Sequence, residues 1–522
     1  MQVTMRRQLE PLTRFAPAYW LAVAAAAGLF GYGLFVWGSK QLQTGLGITG
    51  MNMPTYWGAY IVNFVFFVGL SAGGIVVSGL VHAFKIERFR AVARIAELVA
   101  IVSIIMAAIF ITLDVGRPDR IWHLLRYGRW QSPLIWDVVI INLYLVMALA
   151  LGYFSTRADI VKCMRSLPSR ARLYGLLALG YTDVSPEALR RDERILRVLA
   201  FLSVPTAVML HSVTAWIMGL TKATPGWHTA LLAPVFVASA LASGLALVTL
   251  VTFVSQRLFK AHINDEVLTS LGRLLLLALP ILGYFLFSEL LTVMYAGEPS
   301  PSAFFDALIS GEYSIFFWLD LLLGIAAPLA MLAAIFWLPR RKKAPAPAPA
   351  RGWAWGRYAT AVVAVAVLGL VWLSFAADQP SMLAVDDNGG FFAIGTPVAI
   401  ALIALSAVFF LFVTVRLTPA AGVALASLLV VGGVLAERVN IALAPQLTKF
   451  SAHPDETFAL PYPIAAYRPT WEEISIVLGV YSLGVLAFLI FAKVFPLTEL
   501  PEEDAGAEAA PDHAERRGRR WS

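Results

Sequence analysis

Long apolar runs are the feature that most constrains the fold of this chain. A helix needs about 20 mostly apolar residues to cross the hydrocarbon core of a bilayer. Of the 522 residues 59% are apolar and only 14% are charged, which excludes a disordered chain and argues against a soluble one. We therefore predict an all-α polytopic membrane protein with about 12 transmembrane helices. The predicted spans are 16–37, 57–84, 91–114, 133–154, 195–220, 229–256, 269–296, 312–338, 357–377, 391–415, 419–437 and 473–495.

Lys and Arg predict the orientation of these spans. Of the 40 Lys and Arg residues, 31 fall in the segments that share a side with both termini. Cytoplasmic loops carry such an excess of positive charge. We therefore expect both termini in the cytoplasm, and we read the net charge of +7 as leaflet sorting, with no nucleic-acid partner.

Composition divides the chain further. Ala-Pro repeats predict an extended linker, and the segment after Pro496 has the composition of a disordered tail. The predicted segments are an N-terminal helix (1–40), a first four-helix bundle with the candidate site (41–220), the first part of a second bundle (221–338), a cytoplasmic linker (339–356), a two-helix insertion (357–416), the remaining bundle helices with an outer loop at 438–472 (417–496), and a disordered cytoplasmic tail (497–522).

Two bundles are predicted because similar residues recur at an offset of four helices. Gly-Arg-Pro at 116–118 is echoed by Gly-Glu-Pro at 297–299, and Trp136-Asp137 by Trp318 with Asp320. Such a repeat predicts two four-helix bundles of the same orientation. Chance similarity among apolar helices is the alternative.

Cysteine and histidine are scarce. Cys163 is the single cysteine and there are seven histidines, so we expect no iron–sulfur cluster, haem or metal site within this chain. Any redox metal would then belong to a partner protein.

Ionisable residues near the predicted outer face are the candidate site. Asp114 ends the third span, Asp137 opens the fourth, and Arg117 lies one turn after Asp114. Two carboxyl groups and a guanidinium at an apolar boundary suit a quinone, whose reduction needs two protons. The alternative is that these residues only fasten the loop to the helix ends.

Two further polar residues are candidate quinone ligands. Asn63 lies in the second span and His211 in the outer half of the fifth. Hydrogen bonding between helices is the alternative for Asn63, and a buried histidine satisfied within the core is the alternative for His211.

Buried carboxyl groups also suggest a proton pathway. Glu97 lies toward the cytoplasmic side of the third span, and Glu289 and Asp320 lie in the predicted second bundle. Waters between such groups would carry protons across the membrane. Pairing with neighbouring hydroxyl groups explains the same residues.

Several motifs resemble the NrfD/PsrC family of membrane subunits, including its alternative complex III relatives. The matching segments are 113–122 (LDVGRPDRIW), 132–137 (SPLIWD), 45–51 (GLGITGM), Trp57-Gly58, 63–67 (NFVFF), 288–292 (SELLT), Glu437-Arg438 and 467–472 (YRPTWE). Asp114 stands where alternative complex III members usually have His, which is more similar to the molybdoenzyme-linked branch.

The resemblance implies a quinone-reactive subunit of a bacterial or archaeal inner membrane, using menaquinone or ubiquinone. It implies a ferredoxin-like iron–sulfur subunit and a molybdopterin subunit as partners on the extracytoplasmic face. Carried over by residue, Asp114, Arg117 and Asp137 would line the quinol site, with Asp114 and Asp137 handling the protons. A secondary transporter and a passive membrane anchor are the alternative functions.

Overall fold

The computed structural model describes residues 9, 12–13, 15–52, 55–224, 226–310, 314–338, 403–414, 416–448 and 467–500. Within these residues the chain is helical and holds no strand, and ten helices are long and apolar enough to cross a membrane. This confirms the all-α polytopic architecture. The ten are α1 (Pro17–Ile48), α2 (Ala59–His82), α3 (Glu87–Asp114), α4 (Pro133–Ser166), α5 (Pro186–Gly219), α6 (Leu232–Leu258), α7 (Asp265–Ala296), α8 (Ser314–Trp337), α9 (Pro419–Gln446) and α10 (Trp471–Val494).

These ten helices account for ten of the twelve predicted spans. The predicted span at 357–377 and the linker at 339–356 lie outside the described residues. The span at 391–415 is described only from residue 403, where a shorter apolar helix, Ile403–Thr414, begins. The tail is described only as far as residue 500.

Local sequence explains where several helices begin and end. Ser185 caps α5 by accepting a hydrogen bond from the backbone N–H of Ala188, with proline in the first turn. Thr470 accepts from the backbone N–H of Glu473 at 3.2 Å and so caps α10. α7 ends at Ala296, and the next residue, Gly297, adopts the left-handed conformation with φ of 63°.

The helices pack in two groups of four. In one group α2 contacts α3 and α5, and α4 contacts α3 and α5; in the other α6 contacts α7 and α9, and α8 contacts α7 and α9. The groups meet where α6 packs against α2 and α5. Most of the buried apolar side chains of both groups form one continuous core.

The first and last spanning helices lie against each other beside the first group. A Cβ atom at Gly33 of α1 would lie 2.8 Å from the Cα atom of Gly479 of α10. Such close backbone approach is typical of small residues in membrane helices. The two helices pack along much of their length, and α10 also contacts α3.

The two ends of the helical array differ, and we name them by residues that lie there. The Asp114 end holds the last residue of α3, the start of α4 and the start of α10. The Arg94 end holds the start of α3, the last turns of α4 and the end of α10. At the Arg94 end a small separate core joins the first and last described residues: it contains Leu9, Leu12, Ile160, Val161, Cys163, Tyr174, Ala178 and Leu500.

Candidate functional site

An apolar cavity of about 130 Å³ lies between α2, α8, α9 and α10. Its walls are mainly Leu, Val, Phe and Gly residues, and its few polar groups come from Asn63, Tyr467 and Tyr481. The lining residues are Ala59, Val62, Asn63, Phe316, Leu319, Leu323, Phe410, Leu428, Leu429, Gly432, Gly433, Leu435, Ala436, Val439, Leu443, Tyr467, Pro469, Ile474, Val477 and Tyr481. An apolar cavity with a few convergent polar groups is the usual form of a small-molecule site.

The first polar group of the cavity joins α2 to α10. The hydroxyl of Tyr481 donates a hydrogen bond of 2.7 Å to Oδ1 of Asn63, and Nδ2 of Asn63 donates one of 2.8 Å to the backbone oxygen of Ala59. A side-chain amide carries two N–H donors. The amide is therefore fixed in orientation, and only one of its two N–H groups is hydrogen-bonded to a described residue.

The second polar group is a buried tyrosine and carboxyl pair. Tyr467 donates a hydrogen bond of 2.6 Å to Oε1 of Glu473, which is fully buried. The backbone N–H groups of Ala59 and Gly50 also donate to Glu473, each at 3.2 Å. Tyr467 lies before the first turn of α10, and burial together with the charge of Glu473 raises its pKa well above the usual value. Its hydroxyl therefore remains a donor throughout the physiological range.

Asp114 lies beside this pair, where α3 ends. It is close enough to Glu473 for the two charges to interact, and its Oδ1 atom is buried without a hydrogen bond from any described residue. The neighbouring backbone is held by two linked contacts: Tyr60 donates to Gln41 at 2.8 Å, and Gln41 donates to the backbone oxygen of Leu113 at 2.8 Å. These contacts fix the end of α3 against α1 and α2.

Asp137 and His211 form a separate polar group between α4, α5 and α2. Thr214 donates a hydrogen bond of 2.7 Å to Oδ1 of Asp137, which is buried. One helical turn away, the two ring nitrogens of His211 face the backbone oxygens of Ala207, at 2.6 Å, and of Val68, at 3.1 Å. Neither Asp137 nor His211 is among the residues that line the apolar cavity.

Arg117 is placed apart from both carboxyl groups that it was predicted to join. Its side chain is exposed in the segment between α3 and α4, and it forms no ion pair with Asp114 or Asp137. The structure therefore brings Asp114 toward Glu473 and Asp137 toward Thr214, with Arg117 at the surface.

Glu97 lies near the Arg94 end and is fully hydrogen-bonded. Its carboxylate accepts from Ser78 at 2.9 Å, from Ser155, and contacts Nε2 of His82 at 3.1 Å. His82 and Ser155 also line a polar cavity of about 230 Å³ whose wall includes Arg94 and Asp159. Glu97 thus contacts two of the side chains that line this polar cavity.

Glu289 and Asp320 lie in the second group of helices, away from Glu97. Glu289 is half-buried on α7, and Asp320 is buried near the start of α8. Asp320 has Glu437 and Arg438 of α9 as charged neighbours. The sequence predicted Glu437 and Arg438 at the end of the span 419–437. In the structure α9 continues to Gln446, and both side chains are buried.

Three residues of this region were not predicted as site residues: Tyr467, its hydrogen-bond partner Glu473, and Tyr481. The motif at 467–472 marked the start of α10 and was the available signal for Tyr467. No sequence signal marked Tyr481, because its partner Asn63 is 418 positions away. Among the described residues no group of three His, Cys, Asp or Glu side chains is arranged to hold a metal ion.

Comparison with known proteins then decides the family. A sequence model described as "Polysulphide reductase, NrfD" matches residues 47–346, more than half of the chain. The chain belongs to the NrfD family. The matched residues cover α2 to α8 and therefore include Asn63, Asp114, Asp137 and His211.

Three relatives are named as parts of larger redox enzymes. A putative dimethyl sulfoxide reductase membrane subunit of Halobacterium salinarum is 36% identical over 316 residues, 60% of this chain and 69% of that protein. A selenate reductase subunit of Mesobacillus selenatarsenatis is 28% identical over 286 residues, 53% and 66% of the two chains. An Hdr-like menaquinol oxidoreductase integral membrane subunit of Archaeoglobus fulgidus is 26% identical over 322 residues, 61% and 71%.

Proposed function

We propose that this chain is the quinone-binding membrane subunit of a multisubunit oxidoreductase. It would exchange electrons between the quinone pool, menaquinone or ubiquinone, and an iron–sulfur partner, with a molybdopterin subunit beyond it. Membership of the NrfD family and the names of its relatives, among them a menaquinol oxidoreductase subunit, support this proposal. The observation that carries it is the apolar cavity with Asn63, Tyr481 and Tyr467 in its wall.

The cavity suits a quinone ring in size and in chemistry. An apolar cavity of about 150 Å³ binds benzene, and this cavity, at about 130 Å³, is close to that size. The free N–H of Asn63 is a donor for a ring carbonyl oxygen, and the apolar walls suit the remainder of the molecule. A bound quinone would supply the two-electron, two-proton chemistry.

The residues of the site have distinct proposed roles. Asn63 orients the ring, and Tyr481 holds the amide in position. Tyr467 and Glu473 form a hydrogen-bonded pair at the cavity wall, and Asp114 lies next to this pair, so these groups are placed to accept or release protons. Asp137 and His211 are proposed as a second acid–base group behind α2.

We place the Asp114 end on the extracytoplasmic side, because the positive charge of the chain is concentrated at the opposite end. The iron–sulfur partner would then dock over the segment that carries the exposed Arg117. Glu97, beside the polar cavity at the Arg94 end, would lie at the cytoplasmic entrance of a proton pathway. Glu289 and Asp320 would belong to a separate branch in the second group of helices.

Purification of the complex from its membrane tests the proposal. We expect quinone in the lipid extract, iron and molybdenum in the co-purified subunits, and oxidation of a soluble quinol analogue whose KM rises in Asn63→Ala. A passive anchor predicts no bound quinone and turnover unaffected by cavity substitutions. A secondary transporter predicts solute uptake by the chain alone in proteoliposomes, and that result would overturn the proposal.

A further inference from the structure

The second group of helices contains buried charges that the apolar cavity does not use. Asp320, Glu437 and Arg438 are each at least nine-tenths buried, with exposed fractions of 6%, 3% and 1%. They lie on α8 and α9, away from the carboxyl groups at the ends of α3 and α4. Ionisable side chains inside membrane helices are costly and tend to be functional.

The packing of α8 against α9 brings the two carboxyl groups together. A Cβ atom at Gly324 would lie 2.8 Å from the Cα atom of Gly433, so the two backbones touch at this point. Eleven residues further along α8, Ile335 contacts Gly422, eleven residues earlier on α9. The helices are therefore antiparallel.

Antiparallel packing fixes the position of the acids relative to that contact. Asp320 lies one turn before Gly324, and Glu437 lies one turn after Gly433, so both lie on the same side of the contact. The backbone at Leu319–Ala326 widens into a π-helix, a winding frequent at functional sites. Asp320 and Glu437 therefore lie on neighbouring helices at the same side of this contact, near enough for their charges to interact.

Ser239 and Arg438 complete the cluster. Ser239 donates a hydrogen bond to Oε2 of Glu437 and accepts one of 2.9 Å from Nη2 of Arg438. The Arg438 guanidinium also lies 3.8 Å from Glu437 and 4.4 Å from the ring centre of Phe236. Oδ1 of Asp320, Oε1 of Glu437, and Nε and Nη1 of Arg438 are buried without a hydrogen bond to any described residue.

The charges of the cluster do not balance when all three groups are ionised. Two carboxylates and one guanidinium carry a net charge of −1, and an uncompensated charge is very unfavourable in a membrane interior. One proton makes the cluster neutral. The charged and titratable groups around it are Glu289 of α7, which interacts with Glu437, and His211 of α5, which interacts with Arg438.

We propose that Asp320 and Glu437 bind one proton between them and that this carboxyl pair is a proton-loading site of the second helix group. The O–H of one carboxyl group donates to the carboxylate of the other, and Arg438 balances the remaining negative charge. Glu289 is the neighbouring group that exchanges this proton toward the Asp114 end. The proton-loading role rests on the proposed function. The shared proton does not, because it is present in the resting protein.

Infrared spectroscopy of the full chain in liposomes at neutral pH tests the shared proton without any quinone. The C=O stretch of a protonated carboxyl group is separate from the carboxylate bands, and the difference between wild type and variant isolates one group. Asp320→Asn leaves Glu437 paired with Arg438, and Glu437→Gln leaves Asp320 paired with Arg438. We expect each single variant to lose the same one carboxyl equivalent, and the double variant to lose no more.

Two further variants complete the test. Arg438→Gln removes the balancing charge and should raise the signal from one protonated carboxyl group to two. Asp306→Asn, at an exposed carboxylate, is the control and should leave the band unchanged. Loss of the band in only one of the two single variants, or in neither, overturns the proposal. A failure here leaves the quinone-binding result unaffected, since that depends on Asn63.

Discussion

Tyr481 donates a hydrogen bond of 2.7 Å to Asn63, and the two residues are 418 positions apart in the chain. The bond connects the second spanning helix to the last and fixes the amide that faces the apolar cavity. The orientation of this cavity side chain therefore depends on a helix 418 positions later in the chain.

Asn63→Ala should weaken quinol binding while the protein still folds. The variant loses one neutral hydrogen bond to the ligand, which corresponds to about a 3- to 10-fold change in affinity. The measurement is KM for a soluble quinol analogue in the purified complex. Asn142→Ala is the matched control, because Asn142 is an exposed residue of α4 that bonds only to its own helix. Equal effects at the two positions would contradict the site.

Asp114→Asn should slow quinol oxidation more than binding. An amide cannot accept a proton, and loss of a general acid–base group typically costs about 100-fold or more in rate. The comparison is kcat against KM for Asp114→Asn, Asp137→Asn and the exposed control Asp306→Asn. Normal turnover in both of the first two variants would remove the carboxyl groups from the mechanism.

The raised pKa of Tyr467 should make the stability of the folded protein fall as the pH rises above 10. Its pKa is raised in the folded state by burial and by Glu473, whereas in the unfolded chain it is about 10. Above pH 10 the unfolded chain releases this proton and the folded protein retains it, so stability falls as pH rises, by about 1.4 kcal/mol per pH unit. Melting temperatures from pH 9 to 12 should fall less steeply for Tyr467→Phe. Parallel curves for the two proteins would contradict the assignment.

Asp159→Asn should destabilise the Arg94 end. Asp159 is buried and pairs with Arg94, lies 3.4 Å from the amine of Lys162, and accepts a hydrogen bond of 3.2 Å from the backbone N–H of Leu500. Removing one partner of a buried ion pair costs about 3–5 kcal/mol. The free energy of unfolding in mixed detergent and denaturant provides the measurement.

Glu87→Gln is the control for that prediction. Glu87 pairs with Arg90 at 3.2 Å, but its side chain is 69% exposed, and exposed pairs contribute little. A stability change as large as that of Asp159→Asn would show that the buried network is not what stabilises this end.

The helices could be predicted from the sequence because the side chains of each apolar run must be buried in the protein or face hydrocarbon along its whole length. The predicted limits fail where a helix leaves the membrane: α4 continues to Ser166 and α5 begins at Pro186, since these charged turns are stabilised by ion pairs such as that of Arg157 with Asp192. Apolar periodicity carries no information about such pairs.

The candidate site could be predicted only in part. Asn63, Asp114 and Asp137 are visible in sequence because a polar residue in an apolar run has a high energetic cost. The residues that act on Asn63 and Asp114 are not visible, because Tyr481 and Glu473 come from a helix about 400 residues later. Arg117 is close to Asp114 in sequence, yet the turn after α3 directs it to the surface, and local spacing alone could not show this.

The contact of Gly33 with Gly479 has a consequence for biosynthesis. The ribosome makes α1 first and α10 last among the described spans, so α1 enters the bilayer with its packing partner still untranslated. During that interval its glycine face must rest against lipid or an insertion factor. Premature termination before α10 would leave α1 without this partner and would remove Tyr481 as well, so a truncated chain would be marked both by an undocked first helix and by an incomplete cavity.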